Sequence, residues 1–301
     1  MKYLLTLVLT IFLTNLYANS TIVMPEFSNK FHNIRDFTTY KNEAYFSAQS
    51  ALGELSVIIR VEKNDDSWSN PRIASFSGNH HDIEPFITSN GLKLFFASKR
   101  PKTENSQTTD YDIWFVTREQ VNKQWSKPQN IGSPINTDKN EFYPSIADNG
   151  NLYFTANYED SKGKDDIYIS EFNHGKYTKP YSLSNAINSE GDEYNAYIAH
   201  DESFLIFGAY KRKDGFGSGD LYISFKTDNN WSQSQNMGPE VNSKQMDYCP
   251  FVEAHTLFFT SRRSELKDIN FKNIEDLITA YHSYKNGMSR IYKTDLKLKE
   301  L

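Results

Sequence analysis

One cysteine, Cys249, stands alone in 301 residues. No intrachain disulfide can form, so covalent cross-links do not hold this fold together. An excess of positive charge is also missing: 33 Lys and Arg face 38 Asp and Glu, a formal net charge of −5. A nucleic-acid partner would need a basic face, and none is indicated. No Gly-x-Ser-x-Gly elbow occurs, which disfavours a propeller peptidase with an appended hydrolase domain. Histidine ligand spacing is absent, and the sequence asks for no metal and no cofactor. His80 and His81 are adjacent, and adjacent residues on a strand face opposite ways. Helical periodicity is scarce; its best stretch runs from Asn273 to Tyr281. Long apolar runs are confined to the amino end.

That one run, Tyr3 to Leu16, follows Lys2 and precedes Leu16-Tyr17-Ala18. It is short for a membrane span and has the form of a signal peptide with a small-residue cleavage site. Residues 1–18 are read as a signal peptide, cleaved after Ala18. Residues 19–301 are read as one exported domain, periplasmic or secreted, with no membrane span in the mature chain.

What the sequence has in abundance is repetition. Asp82-Ile-Glu-Pro-Phe-Ile-Thr-Ser-Asn-Gly-Leu-Lys-Leu-Phe-Phe-Ala-Ser98 returns from Glu141 to Ala156, from Glu193 to Ala209 and from Asp247 to Ser261. A weaker copy runs from Asn33 to Ala48. Anchored on Phe46, Phe96, Phe154, Phe207 and Phe259, the steps are 50, 58, 53 and 52 residues. A period near 50 marks supersecondary units that cannot bury their apolar faces alone. Each unit carries four strand signals. The first follows the acidic residue, and an Asn-Gly or Asp-Asn-Gly turn leads to the second. Asp112-Ile-Trp-Phe, Asp166-Ile-Tyr-Ile, Asp220-Leu-Tyr-Ile and Arg290-Ile-Tyr-Lys open the third. The fourth is expected to begin at Trp68, Trp125, Tyr177 and Trp231. Such tandem units predict an all-β fold, a single β-propeller of four-stranded blades. Five anchors give five blades, with six as the alternative. The last unit lacks a fourth strand, so a segment between Thr21 and Asn33 is expected to supply it.

The succession acidic-x-x-Pro, Asn-Gly, Leu-Tyr-Phe-Thr, Asp-Ile-Tyr and Trp-Ser-x-Pro resembles the TolB-like propeller repeats of bacterial envelope proteins. The resemblance covers residues 33 to 301. It implies a platform for protein interactions in the cell envelope.

Two recurring sets are candidates for function. Asp82, Glu141, Glu193 and Asp247 open the first strand of each full repeat, with Asn33 in the weak copy. They are expected as a ring near one channel mouth, able to bind a cation or sugar hydroxyls, or else to cap turns. Arg100, Arg212 and Arg263 follow the second strand, and Tyr158 replaces the cation in the third unit. Salt bridges between the sets are the plain reading; a mixed-charge recognition face is the sharper one. His32 falls at the repeat equivalent of His81. Asp112, Asp166 and Asp220 are read as turn-fixing residues, and Gly215 to Gly219 fails as a phosphate loop because no helix follows it. Cys249 takes the repeat position of Glu84 and Tyr143 and reads as a buried small residue. The leading expectation is a non-enzymatic platform that binds an envelope protein or glycan, with no catalytic residue. The alternative is a five-bladed glycoside hydrolase or lyase using channel carboxylates. Catalytic acids that break the repeat would favour that alternative.

Overall fold

Runs of aromatic and β-branched residues, cut by Asn-Gly turns, give short antiparallel strands. The computed structural model describes residues 20–65, 67–103, 110–228, 230–266 and 270–298. The expected signal peptide lies outside them. Blade 1 orders Asn33–Tyr40, Glu43–Gln49, Ser56–Asn64 and Arg72–Ile73 from the inside outward. Blade 2 orders Asp82–Ile87, Lys93–Ser98, Asp112–Thr117 and Gln129–Asn130. Blade 3 uses Glu141–Ile146, Leu152–Ala156, Asp166–Ser170 and Tyr181–Ser182. Blade 4 uses Glu193–Ile198, Phe204–Tyr210, Gly219–Thr227 and Gln235–Asn236. Blade 5 uses Asp247–Glu253, Thr256–Ser261 and Arg290–Asp295, and its outer strand is Thr21–Ile22. Inner strands of successive blades lie against one another all the way round, including blade 5 against blade 1. The fold is a closed five-bladed propeller.

The five phenylalanine anchors occupy equivalent sites on the second strands. Phe46 lies opposite Ile59, Phe96 opposite Trp114, Phe154 opposite Tyr168, Phe207 opposite Tyr222 and Phe259 opposite Tyr292. All five are buried. Phe86, Tyr197 and Phe251, at matching points of three inner strands, meet with ring centroids 5.6 to 6.4 Å apart and fill the channel.

Asn136, Asn188 and Asn242 fasten the connectors. Each side-chain amide accepts the N–H and donates to the C=O of one third-strand residue, Ile113, Ile167 or Leu221. This imitates a strand pairing where no strand lies, and satisfies buried backbone groups.

Two expectations are corrected. The outer strand begins at the tryptophan only in blades 1 and 4, where Ser67–Trp68 and Asn230–Trp231 pair with the third strand; in blades 2 and 3 it forms a few residues later. Trp125 and Trp231 also reach back to the preceding blade. Trp125 Nε1 donates to Tyr45 Oη at 2.9 Å, and Trp231 packs edge-on against Tyr153 at 6.4 Å. In the first repeat the register lies one residue later than expected. Ile34 pairs with Ala48 as Asp82 pairs with Ser98, so Ile34 takes the acidic position and Asn33, not His32, matches His81. The weak copy misled because it has no acid there.

Closure rests on few residues. Thr21 and Ile22 pair with Lys293 and Tyr292, and Val23 N donates to Ile291 O at 3.0 Å. Phe27 follows, buried and stacked on Phe46 at 6.2 Å. Replacing Phe27 by Ala should cost about 3 to 5 kcal/mol and lower Tm by roughly 10 °C. Thr21→Ala, at an exposed site, should change it by under about 0.5 kcal/mol. Equal melts for the two variants would show that the ring closes without this segment.

Candidate functional site

Every inner strand is broken by a β-bulge at the same place. The bulged residues are Asp36, Glu84, Tyr143, Asn195 and Cys249, with φ of 61°, 60°, 47°, 52° and 52°. A positive φ strains a residue that carries a side chain, by about 1 to 3 kcal/mol. The bulge re-aims that side chain, here towards the channel axis. Its N–H loses a ladder partner, and the preceding blade replaces it. Thr260 Oγ1 accepts from Asp36 N at 3.2 Å, Ser47 Oγ from Glu84 N at 3.0 Å and Thr155 Oγ1 from Asn195 N at 3.0 Å. At the equivalent positions in blades 2 and 4 stand Ala97 and Gly208, which have no hydroxyl. Tyr143 N therefore turns to Glu84 Oε2, at 2.8 Å.

The bulged side chains gather around Arg35. Its Nε donates to Asp36 Oδ1 at 2.6 Å and its Nη2 to Glu84 Oε1 at 2.9 Å. Asn195 Nδ2 reaches Glu84 Oε1 at 3.3 Å. Cys249 Sγ donates to Asp36 Oδ1 at 2.8 Å, and Tyr143 Oη crosses to Pro250 O at 2.8 Å. Two buried carboxyls thus share one guanidinium. Burial pushes the Glu84 carboxyl well above the usual range; Arg35 opposes this and Asp36 adds to it. Burial likewise pushes the Cys249 thiol up, with Asp36 beside it, so it stays a neutral donor.

Above this network lies a cleft of about 640 Å³. Its floor includes Glu84 and Asn195, and its walls include the residue before each bulge: Arg35, Ile83, Phe142, Tyr194 and Tyr248. Tyr194 lies in a slot made by two glycines: a Cβ on Gly208 would sit 2.6 Å from its ring, and one on Gly219 2.4 Å from its hydroxyl. On one side Tyr111 Oη meets His81 Nδ1 at 2.8 Å, and His81 Nε2 meets Gly53 O at 2.6 Å. On another side the wall carries Asp165 and Asp192. Burial, then the charge of Asp192, raises the Asp165 carboxyl. The cleft thus joins aromatic faces to a few aimed polar groups, as small-molecule sites do.

None of the seven candidate residues is among those that line this cleft. Asp82, Glu141, Glu193 and Asp247 are sealed between strands, each fully buried. Each of the last three accepts from the backbone N–H and hydroxyl of the residue four before it: Thr137, Ser189 or Ser243. Arg100 pairs with Asp82 at 2.7 Å, Arg212 with Glu193 at 2.8 Å and Arg263 with Asp247 at 3.7 Å. In blade 3 Tyr158 Oη donates to Glu141 Oε1 at 3.0 Å, where blades 2, 4 and 5 use arginine. Without a cation, burial raises Glu141 to about 7. These residues bolt each connector to its inner strand. The residues at the cleft floor were passed over because they do not repeat. The signal was present in the alignment of Cys249 with Glu84 and Tyr143, one repeat position holding a different residue in every blade.

No protein-family model and no curated protein matches the chain. Solved structures do. A GH43 endo-arabinanase from Bacillus licheniformis superposes with a TM-score of 0.55 at 15% identity, over 88% of this chain and 94% of that one. The arabinanase Arb43A of Bacillus subtilis gives 0.52 at 13% identity, over 89% and 96%. An α-L-arabinofuranosidase from Lactobacillus brevis gives 0.51 at 14% identity, over 88% and 93%. At these identities the likeness speaks for the fold. The expectation of a non-enzymatic platform is corrected on these findings. The three proteins named here are two arabinanases and an arabinofuranosidase, and the carboxyls at the channel break the repeat.

Glu141 and Glu193 should respond differently to loss of charge. Glu193→Gln leaves Arg212 uncompensated and should cost about 3 kcal/mol or more. Glu141 has a raised folded pKa. Its stabilising share is complete below its unfolded value and is lost as pH rises through about 7. Wild type should therefore lose about 3 kcal/mol relative to Glu141→Gln between pH 4.5 and 8. Urea denaturation at both pH values checks this; a gap independent of pH would contradict the burial of an unpaired carboxyl.

Proposed function

We propose that the chain is a glycoside hydrolase whose active site is the channel-mouth cleft. The observation that carries this is the bulge ring. At the one repeat position aimed at the axis, the blades present five different residues, and Glu84 faces the cleft with a carboxyl held above its usual range.

A carboxyl that keeps its proton near neutral pH suits a general acid. Glu84 donates that proton to the glycosidic oxygen as the bond to the anomeric carbon breaks. A second carboxyl must take the proton from the attacking water, or attack in its place. Asp192, beside Asp165 on the wall, is the group assigned to it. Arg35 and Asn195 hold the Glu84 carboxyl in place, and Tyr143 N–H fixes its other oxygen. Tyr111 and Tyr194 offer aromatic surface to sugar rings. The arabinan-acting proteins of like fold make arabinan the first substrate to test. The amino-terminal signal would place the enzyme outside the inner membrane, where such polymers are met.

Reducing-sugar release should be measured on linear arabinan, then on a panel of plant and envelope polysaccharides. Glu84→Gln keeps the acceptor for Tyr143 N–H, so its melt should hold while kcat falls by roughly 10²- to 10⁴-fold. Wild-type activity should decline as pH rises past neutrality, when Glu84 loses its proton. Turnover unaffected by Glu84→Gln, or no turnover on any polymer, would refute the assignment.

A further inference from the structure

A second concavity lies apart from the cleft, between the amino-terminal segment and the insertion in blade 5. It holds about 520 Å³. One wall is the helix Ile274–His282, capped by Asn273, whose side chain accepts from Asp276 N at 2.8 Å. This helix buries none of its residues; Ile278 and Tyr281 are 49% and 67% exposed and line the groove. Phe31, Leu266 and Met288 complete an apolar lining.

Among the described residues the ionisable lining is basic: Lys30, His32, His282 and Arg290 contribute, and no Asp or Glu does. Arg290 is the informative residue. The other full repeats have Asp112, Asp166 or Asp220 at this place. Arg290 is only 1% exposed, yet among the described residues it has no salt bridge to a carboxylate. Its guanidinium donates to backbone carbonyls of His32, Ser289 and Ser28 and lies over the Tyr284 ring at 5.8 Å, and its Nε has no hydrogen-bond partner. A buried cation without a counter-charge costs several kcal/mol, and a folded chain keeps one only where something offsets it. Burial accordingly pulls the Arg290 pKa down from the usual arginine range.

We propose that this groove binds a monocarboxylate with an apolar chain, its carboxylate on Arg290 and its chain along Phe31, Ile278, Tyr281 and Met288. Charge complementarity selects the head group, and the unpartnered helix face selects the tail. A carboxylate matches a guanidinium in two parallel hydrogen bonds, which would engage the idle Nε. The volume suits a ligand of this size. The site is separate from the sugar-cleaving cleft, so neither proposal depends on the other.

Decanoate is the probe, titrated calorimetrically into the purified chain, with methyl decanoate and acetate as controls. Decanoate should bind and raise Tm, and each control should bind at least tenfold more weakly. Ile278→Asp, at a half-exposed site outside the fold's core, places a like charge in the groove. It should weaken decanoate at least tenfold and leave the ligand-free melt unchanged. Arg290→Gln, where it folds, should also weaken decanoate at least tenfold. Binding that survives Ile278→Asp, equal binding of the methyl ester, or no binding of decanoate by wild type would overturn the proposal.

Discussion

The bulge that interrupts each inner strand is the constraint on which the rest depends. It forces five residues into positive φ and takes their N–H groups out of the ladder. Those N–H groups lie in the interior, where an unmet donor costs about 1 to 3 kcal/mol. Three blades answer with a hydroxyl from the blade before, at Ser47, Thr155 and Thr260. Bulge and hydroxyl together lock those three blades to the blades before them. They also hold the bulged side chains at fixed points around one axis.

Function enters where this scheme is left incomplete. Ala97 offers no hydroxyl, so Glu84 must satisfy the Tyr143 N–H and gains a fixed orientation in return. Arg35 supplies one positive charge to two carboxyls, which leaves a proton to be held. The same logic appears in the scaffold: Tyr158 replaces an arginine, and Glu141 becomes a buried acid without a cation. The difference is access. Glu141 is sealed within its blade, whereas Glu84 forms part of the cleft floor.

Much of the scaffold was legible in the sequence because it repeats. The spacing of Phe46, Phe96, Phe154, Phe207 and Phe259 gave blade number and core together, and the missing last strand pointed to the Thr21 segment. The pairing of Arg212 with Glu193 followed from their joint recurrence. The site was less legible for the converse reason. Periodicity draws attention to what is constant, and Asp82, Glu141, Glu193 and Asp247 are constant because every blade needs the same bolt. Asp36, Glu84, Asn195 and Cys249 vary, and only the bulge shows that they meet. Ile34 in place of an acid hid the first blade's register, and with it the equivalence of Asp36 to Glu84. Arg290 was visible as a departure from aspartate, but its burial without an acid is a property of the packing.

The protonation state of Glu84 tests the account most directly. The carboxyl carbon of Glu84 can be followed by ¹³C NMR as pH is raised, with Glu84→Gln identifying its resonance. Burial beside Asp36 predicts a midpoint displaced upward, towards neutrality. Ala97→Ser offers Tyr143 N–H the hydroxyl that other blades supply, removes a hydrogen bond from the Glu84 carboxylate, and should move the midpoint higher still. A wild-type midpoint in the ordinary glutamate range, near about 4.3, would contradict a proton held for catalysis at the cleft floor.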